Sequence, residues 1–464
     1  MIILIVMPVK HQASFRDAAG YVFIKNQSLY RQINVSYLNH YEALINSGLY
    51  DELIAENLLI PHLEVENINA DAYKTIKPEF IPFISYPYEW CFDQLKEAAL
   101  NTLSIVQMSL KKGMILKDAS AYNIQFHNNK AILIDTLSFE MYEQGQPWVA
   151  YRQFCQHFLS PLLLMCRVDE SLVKLLFSNI DGIPLEVTAK ILPFHERFKF
   201  PSLLHIFMHA KSIAKNKHKT MAEIEAMPKT KFNILHLISH LQSTIEGLKI
   251  NRKKSQWSQY YLNSTDEAYL SEKEALVRGY LDKLGKQNII WDAGGNNGAF
   301  SRLFASYGST IICTDTDRNC LAENVSLNKK NQIKNIFPIF CDLANPSPAL
   351  GLMNREHESF LMRMNADVTF AFALVHHLRI TNQISFEGIA ELFASSTKYL
   401  IIEWVGADDD KCAFLLGNNK LMSANYNETN FKDALEKYFI IHAKSALKCG
   451  LRTLYFCEKN NELK

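Results

Sequence analysis

The chain has 464 residues, 48% of them hydrophobic and 21% charged, which is typical of a globular protein with two or three domains. Its formal net charge of +1 gives no overall attraction to nucleic acid or to an anionic membrane. The nine cysteines include no C-x-x-C pair, which argues against a disulfide framework and favours a reducing compartment.

The first region, residues 1–170, is predicted to mix strands and helices. Its opening stretch MIILIVMPV lacks the basic start and the cleavage site of a signal peptide, and no run in the chain approaches the roughly 18 apolar residues of a membrane span. We therefore expect a cytoplasmic protein with no membrane partner. GYVFIKNQSLYRQI predicts a hairpin, the spacing of apolar residues predicts helices over 37–53 and 92–110, and AILIDTLSF predicts a short buried strand.

The second region, residues 171–250, is predicted to be helical, because LPFHERFKFPSLLHIFMHA and FNILHLISHLQSTIEGL carry apolar faces. The polar, lysine-rich segment 211–232 between them is interpreted as a linker, and the basic residues within 211–254 are an alternative contact for RNA phosphates. His205 with His209, and His236 with His240, have the spacing of a helical metal site. No third ligand accompanies them, so packing is the preferred interpretation.

Strands alternate with helices in the third region, residues 251–464, which predicts a doubly wound parallel sheet and an α/β fold. The predicted strands are NIIWDAGG, TIICTDTD, IFPIFCDL, DVTFAFAL, YLIIEWVG, FIIHAKSA and TLYFCEK. The stretch before them includes Tyr260 and Tyr261, and it is predicted to pack as a helix or to cap a bound ligand.

The most specific motif in this region is a glycine loop between the first two strands. The first strand ends at Asp292 and is followed by Gly294, Gly295 and Gly298, where the missing side chains let the backbone approach a ligand closely. The second strand ends at Asp315, and a carboxylate in that place accepts hydrogen bonds from both hydroxyls of a ribose.

Together with a third acidic strand end at Asp342, this motif resembles the class I S-adenosylmethionine-dependent methyltransferases over residues 255–464. The resemblance implies a Rossmann-like seven-stranded sheet with S-adenosylmethionine as cofactor. It assigns the methionine part of the cofactor to Asp292 and the glycine loop, the ribose to Asp315, and the adenine to Asp342. The implied cofactor-binding residues are Asp292, Gly294, Gly295, Asn296, Gly298, Asp315, Thr316, Asp342, Leu343 and Ala373. A nicotinamide-binding domain is the alternative, but it usually has G-x-G-x-x-G where this loop reads G-G-N-N-G.

In such folds the methyl acceptor lies at the carboxyl ends of the fourth and fifth strands. Here these ends carry His376, His377 and Glu403, which we predict as candidate catalytic residues. A histidine removes a proton readily near neutral pH, although the two rings are equally consistent with lining the pocket, and a metal bound by all three residues is a further alternative. No [DN]-P-P-[YF] motif follows the fourth strand, which argues against the amino-group methylases that carry it.

The stretch LKDASAYNIQFHNNKAILID in the first region contains a second pattern of chemically relevant residues. Asp118, Asn123 and Asp135 have the order and approximate spacing of the catalytic loop and metal-binding aspartate of phosphotransferases. They resemble protein kinases and aminoglycoside-type kinases, in which case residues 171–250 form the second lobe. The His-Arg of the loop and the Phe-Gly after the metal aspartate are missing, and no phosphate-binding lysine is evident. We therefore expect an α+β domain that is kinase-like without phosphotransfer, or is unrelated to kinases.

Strings along the whole chain, among them FRDAAGYVF, YPYEW and PWVAYRQFCQHFL, resemble a bacterial methyltransferase group of which some members are labelled nodulation-protein-like. We predict a two-part enzyme whose C-terminal domain methylates a small molecule or metabolite that the N-terminal domain recognises. Three alternatives stay open: an RNA methyltransferase, a bifunctional protein with an active ATP-dependent phosphotransferase, and a non-catalytic scaffold that binds the cofactor.

Overall fold

The computed structural model describes residues 9–216, 234–252, 267–417 and 425–462. The chain divides into two compact units. Unit 1 consists of Met1–Asn251 together with Leu350–His357, and unit 2 consists of Arg252–Ala349 together with Glu358–Lys464. Both units mix helices with strands, as the sequence predicts, and the helical region 171–250 belongs to unit 1.

The strands of unit 1 form one larger sheet and two small ones. They are β1 (Val9–Lys10), β2 (Gly20–Lys25), β3 (Ser28–Asn34), β4 (His62–Val65), β5 (Ala72–Pro78), β6 (Met114–Leu116), β7 (Ile124–His127), β8 (Lys130–Leu133) and β9 (Phe139–Met141). The larger sheet is antiparallel with the order β1-β2-β3-β5-β4. β6 pairs with β9, and β7 pairs with β8.

The predicted hairpin is confirmed as β2 and β3. Asn26 and Gln27 connect the two strands with φ angles of 49° and 61°, the left-handed pair that a two-residue hairpin turn requires. Gly20 begins β2 where a Cβ atom would lie 2.1 Å from the carbonyl oxygen of Gln32 on β3. A side chain at this position would therefore push the two strands apart.

The helices of unit 1 agree with the sequence in part. They are α1 (Leu38–Asn46), α2 (Leu49–Ala55), α3 (Phe92–Lys111), α4 (Tyr151–Phe154), α5 (Ser160–Arg167), α6 (Leu175–Ser178), α7 (Leu185–Ile191), α8 (Phe200–Ser202), α9 (His209–Asn216) and α10 (Ile234–Gly247). α3 confirms the helix predicted over 92–110. The single helix predicted over 37–53 is wrong, because Gly48 has a φ of 72° and this left-handed residue separates α1 from α2.

Two further expectations about unit 1 concern the strand AILIDTLSF and the linker 211–232. The single strand predicted for AILIDTLSF is wrong, because β8 ends at Leu133 and a 3₁₀ turn at Thr136–Ser138 separates it from β9. Asp135 begins that turn by accepting the N–H of Leu137 at 2.9 Å, which ends the extended conformation. The linker predicted over 211–232 lies outside the described residues except at its start, where α9 continues to Asn216.

Unit 2 is built on one seven-stranded sheet. Its strands are β10 (Gln287–Ala293), β11 (Gly308–Asp315), β12 (Ile336–Phe340), β13 (Ala366–Ala371), β14 (Thr397–Val405), β15 (Phe439–Ala446) and β16 (Arg452–Lys459). The sheet has the order β12-β11-β10-β13-β14-β16-β15. β16 is antiparallel to both of its neighbours, and the other neighbouring pairs are parallel. Each of the seven strands predicted from the sequence is present.

The helices of unit 2 surround a core of aliphatic and aromatic side chains. They are α11 (Glu267–Leu284), α12 (Ala299–Leu303), α13 (Arg318–Lys330), α14 (Phe360–Arg363), α15 (Phe386–Ser396), α16 (Asp410–Leu416) and α17 (Glu428–Glu436). Val277 and Leu281 of α11 pack with Ile290, Ile311 and Val368 of the central strands, and all five are fully buried. Each such side chain contributes roughly 1.5–3 kcal/mol to folding. Across the described ranges of both units, no helix has the length and apolar character required to cross a bilayer.

The strand order of unit 2 creates a crevice at one edge of the sheet. β10 pairs with β11 on one side and with β13 on the other, so the chain winds in opposite directions away from it. In open parallel sheets ligands bind outside the carboxyl ends of the strands at such a reversal. The loops that follow β10, β11, β12 and β13 meet at this carboxyl edge.

Candidate functional site

The glycine loop after β10 is held against the sheet by close contacts. Asp292 is 2% exposed, and its Oδ2 accepts a hydrogen bond from the Ser301 hydroxyl at 2.6 Å. A Cβ atom on Gly295 would lie 2.6 Å from Cys313 Sγ and 2.7 Å from Asp292 Cγ, and Gly294 has a φ of 71°. The loop therefore lies flat against the strands, with its backbone free of side chains at these two positions.

The pKa of Asp292 is high for a carboxyl group. Burial raises its pKa to about 6, although the hydrogen bond from Ser301 and the charge of Lys273 oppose the shift. An ionisable group kept in such a place costs folding free energy, and groups of this kind concentrate at functional sites.

Asp315 at the end of β11 joins three segments of the carboxyl edge. Its Oδ2 accepts the N–H of Asn296 in the glycine loop at 2.9 Å, and its Oδ1 accepts the N–H of Asp317 at 2.8 Å. Its carbonyl oxygen accepts the N–H of Cys341, which follows β12, at 3.1 Å. Burial raises the pKa of Asp315, and the two backbone donors oppose that shift. Since a carboxylate offers about four acceptor positions, this one retains capacity for the hydroxyls of a ligand.

The remaining predicted cofactor residues lie on neighbouring loops. Thr316 is exposed directly after Asp315, and the half-buried Asp342 follows β12, where its Oδ1 accepts the N–H of Ala344 at 3.0 Å. Leu343 is 6% exposed. The residues predicted to hold the cofactor thus lie at the strand ends and on the loops of one edge: Asp292, Gly294, Gly295, Asn296, Gly298, Asp315, Thr316, Asp342, Leu343 and Ala373.

Glu403, near the end of β14, is fully buried in a network of donors. Its Oε2 accepts from the Lys273 ammonium at 2.7 Å and from the N–H of Ala373 at 2.8 Å. Its Oε1 accepts from the Tyr269 hydroxyl, and the guanidinium of Arg452 lies 3.5 Å away. Every oxygen of this carboxylate is therefore engaged by groups from α11, β16 and the loop after β13.

This network gives Glu403 a structural role. Burial by itself would raise its pKa, but the charges of Lys273 and Arg452 outweigh burial and lower it. The arrangement argues against the proton-accepting and metal-binding roles considered for Glu403. It instead fixes Ala373, whose φ of 48° is a strained left-handed conformation. The sequence did not reveal Lys273 as its partner; the four-residue spacing of Tyr269 and Lys273 on α11 was visible but not specific.

The two histidines after β13 differ from ordinary acid–base groups. His376 is 1% exposed, its ring lies 4.1 Å from that of His377 between centroids, and within the described ranges its Nδ1 has no hydrogen-bond partner. Burial lowers the pKa of His376 to about 3, and burial also lowers the pKa of His377. A ring with so low a pKa is neutral at pH 7 and accepts protons poorly, which favours pocket lining over general-base catalysis for His376.

The structure also brings together the three predicted phosphotransferase residues of unit 1. Asp118 accepts from the N–H of Ser120 at 3.0 Å, and burial, followed by the charge of Asp135, raises its pKa. The side chain of Asn123 interacts with Asp118 and donates to the Ser138 hydroxyl at 3.4 Å. That hydroxyl donates in turn to Asp135 at 2.7 Å.

Asp135 forms an ion pair with a cation that the sequence did not reveal. The guanidinium of Arg31 on β3 lies 2.6 Å from Asp135 Oδ1 and 3.4 Å from Asp17. The side chains of Arg31 and Asp135 are 12% and 15% exposed, so water screens this pair weakly. Asp135 is therefore neutralised without a metal ion.

The histidines with helical spacing make other contacts in the structure than the pairs that the spacing suggests. His205 shares a hydrogen bond with His240 at 2.7 Å and another with the Tyr151 hydroxyl at 2.8 Å, while His209 stacks on Tyr151. Burial lowers the pKa of His205 to about 3. In the parts of the chain that the structure describes, no three His, Cys, Asp or Glu side chains are grouped to hold a metal ion. Most of the basic residues within 211–254 that suggested RNA binding, and also Tyr260 and Tyr261, lie outside the described residues.

Comparison with known proteins identifies relatives of the chain. No family model matches it. It is 30% identical over 470 residues to the nodulation protein NoeA of Rhizobium meliloti (strain 1021), covering 98% of this chain and 97% of that protein. Among solved structures it is similar to the N-methyltransferase NodS from Bradyrhizobium japonicum WM9 in complex with S-adenosyl-L-homocysteine, at 11% identity over 44% of this chain and 92% of that one, with a TM-score of 0.32. It is also similar to magnesium protoporphyrin IX methyltransferase (ChlM) from Synechocystis PCC 6803 with bound SAH, at 13% identity over 44% of this chain and 93% of that one, with a TM-score of 0.32.

Proposed function

The chain belongs to the family of the nodulation protein NoeA, and from this premise we propose that it is a methyltransferase that takes its methyl group from S-adenosylmethionine. The observation that carries the proposal is the position of Asp315. Its carboxylate ends β11 beside the glycine loop, held by two backbone N–H groups, at the edge where open parallel sheets bind ligands.

The residues at the carboxyl edge fit this cofactor part by part. S-adenosylmethionine, when bound, supplies a methyl group carried on a sulfonium. Asp315 would accept the ribose hydroxyls, and Asp342 would accept the adenine amino group. The space around Gly295 has no room for a side chain, so the loop backbone would meet the methionine part directly. Asp292 supplies negative charge on that side, where the methionine ammonium is positive.

On the acceptor side the chain acts through positioning. The network of Glu403 and Lys273 holds the loop that contains Ala373, and His376 and His377, which follow this loop, would lie beside the acceptor. Methyl transfer from a sulfonium needs alignment more than proton transfer, so neutral histidines are compatible with it. We propose a small molecule or metabolite as the acceptor, because no motif of the nucleobase amino-group methylases follows β13.

For unit 1 we propose a kinase-like architecture that serves recognition of the acceptor. Supporting features are the antiparallel order β1-β2-β3-β5-β4, the long α3 that follows, and the two small sheets around the cluster of Asp118, Asn123 and Asp135. Phosphotransfer needs Asp135 to hold a metal ion, and its ion pair with Arg31 opposes that. An active phosphotransferase is therefore the weaker candidate.

The proposal is tested with a matched pair of substitutions in one sheet. Asp315 and Asp367 each accept two backbone N–H groups, but Asp367 does so at the opposite, amino edge, from Asn288 and Ile289. Equilibrium dialysis of the full chain against S-adenosylmethionine is expected to show at least about a hundredfold weaker binding for Asp315→Asn, since two charge-assisted hydrogen bonds are lost. Asp367→Asn is expected to bind as wild type does. If both variants bind equally, or if wild type does not bind, the proposal fails.

A further inference from the structure

Phenylalanine rings are exposed together in one short part of unit 1. The side chains of Phe194, Phe198 and Phe200 are 68%, 76% and 63% exposed, and the nearby Met208 is 53% exposed. We call residues 187–211 the Phe-basic segment. Soluble chains expose single apolar side chains routinely, but several large rings close together mark an interaction surface.

The rings project from short turns. Phe194 and Phe198 are the first and last residues of a 3₁₀ turn, and their ring centroids are 5.5 Å apart. Arg197 lies with its guanidinium carbon 5.4 Å from the Phe194 ring, so a cation accompanies the apolar surface. Phe200 begins the next helix, α8. The rings thus protrude at the surface, a shape suited to insertion into a soft phase.

The exposed charges of the Phe-basic segment have one sign. Its exposed basic residues are Lys190, Arg197, Lys199 and Lys211. The one acidic residue of the segment, Glu196, is fully buried, where it binds the Lys199 ammonium at 2.5 Å and the Ser202 hydroxyl at 2.7 Å. The charge of Lys199 is balanced by Glu196, and Lys190, Arg197 and Lys211 make the exposed face cationic, although the whole chain has a net charge of only +1.

We propose that the Phe-basic segment binds the surface of an anionic lipid bilayer. The three rings insert at the boundary between headgroups and acyl chains, and the basic side chains meet the headgroup phosphates. Aromatic residues next to lysine and arginine, without a membrane span, are the combination that binds proteins to the interface of a bilayer. The sequence-based expectation of no membrane partner rested on the missing membrane span and on the net charge, and neither detects a local cationic face that carries exposed rings.

Co-sedimentation with vesicles tests the proposal. Full-length protein is expected to sediment with vesicles of phosphatidylcholine mixed with phosphatidylglycerol and to remain in solution with phosphatidylcholine alone. Replacing all three rings, Phe194→Ser with Phe198→Ser and Phe200→Ser, is expected to weaken binding at least about tenfold. Arg197→Gln is expected to weaken it about fivefold. Added salt weakens wild-type binding, because it screens the charges.

Matched single substitutions separate insertion from general surface hydrophobicity. Phe198→Ser removes a 76% exposed ring in the segment, and Phe80→Ser removes a 66% exposed ring elsewhere in unit 1. Only the first is expected to weaken binding, and thermal unfolding checks that both variants fold. In Phe198→Trp the fluorescence is expected to shift to shorter wavelength on addition of anionic vesicles. The proposal is overturned if wild type ignores anionic vesicles, if both serine variants bind equally, or if the rings instead mediate association of the protein with itself.

Discussion

Both units place aspartates at the ends of strands, and they differ in how the negative charge is met. In unit 1 the fixed cation Arg31 lies 2.6 Å from Asp135. In unit 2 the Ser301 hydroxyl donates to Asp292, and the backbone N–H groups of Asn296 and Asp317 donate to Asp315. Those donors are neutral, so they orient the carboxylates without cancelling their charge.

This difference determines which carboxylates are available to a ligand. A metal–nucleotide complex in unit 1 would have to displace Arg31, whereas a ligand in unit 2 meets oriented acceptors that retain capacity. Lys273, a buried cation of unit 2, is bound to Glu403 at 2.7 Å. It acts on the site indirectly, because Glu403 in turn accepts the N–H of Ala373 and holds that loop in place.

The largest effect is expected from removing that cation. Lys273→Met leaves Glu403 buried without its main partner, and we expect a loss of about 3–5 kcal/mol in the free energy of unfolding, measured by urea denaturation. Arg31→Met is expected to cost less, because both members of its pair keep some contact with water. Lys283→Met, on the exposed face of the same helix α11, is the control and is expected to change stability by at most about 0.5 kcal/mol. Equal losses for Lys273→Met and Lys283→Met would show that the buried ion pair with Glu403 contributes no more to stability than an exposed lysine.

The next effect concerns pH. Burial raises the folded-state pKa of Asp292 to about 6 from an ordinary value of 3.8. A raised pKa contributes stability that is fully present below the ordinary value and is lost as the pH rises through about 6. The free energy of unfolding of wild type, minus that of Asp292→Asn, is therefore expected to fall by roughly 2.5 kcal/mol between pH 4 and pH 7. Urea denaturation of both proteins at the two pH values measures it, and a constant difference would show that Asp292 is not desolvated.

The smallest effect is expected in unit 1. If Arg31 alone keeps a cation from Asp135, Arg31→Gln should gain a thermal shift of a few degrees with ATP and magnesium that wild type lacks. The double variant Arg31→Gln with Asp135→Asn should lose that shift again. A large shift in the wild-type protein would contradict the neutralised cluster and favour a live phosphotransferase.

The elements of unit 2 could be predicted because each left a local signal in the sequence. Its strands are continuous apolar runs, and Asp292, Asp315 and Asp342 stand where three of these runs end. In unit 1 the break at Gly48 was equally visible as a Ser-Gly pair, but the apolar spacing on both sides concealed it.

Contacts between distant residues left no such signal. Lys273 and Glu403 are 130 positions apart, and nothing in either segment points to the other. Arg31 and Asp135 are likewise far apart in the sequence, and the local pattern around Arg31 does not indicate an ion pair with Asp135. The pKa of His376 depends on burial, which only the folded packing determines.

The most direct test of the central claim is a crystal structure of the full chain with S-adenosylhomocysteine. The ligand is expected at the carboxyl edge of the sheet of unit 2, with both ribose hydroxyls on Asp315, the adenine amino group at Asp342 and the amino acid part along Gly294 and Gly295. A ligand bound elsewhere, or at this edge with its ribose away from Asp315, would contradict it.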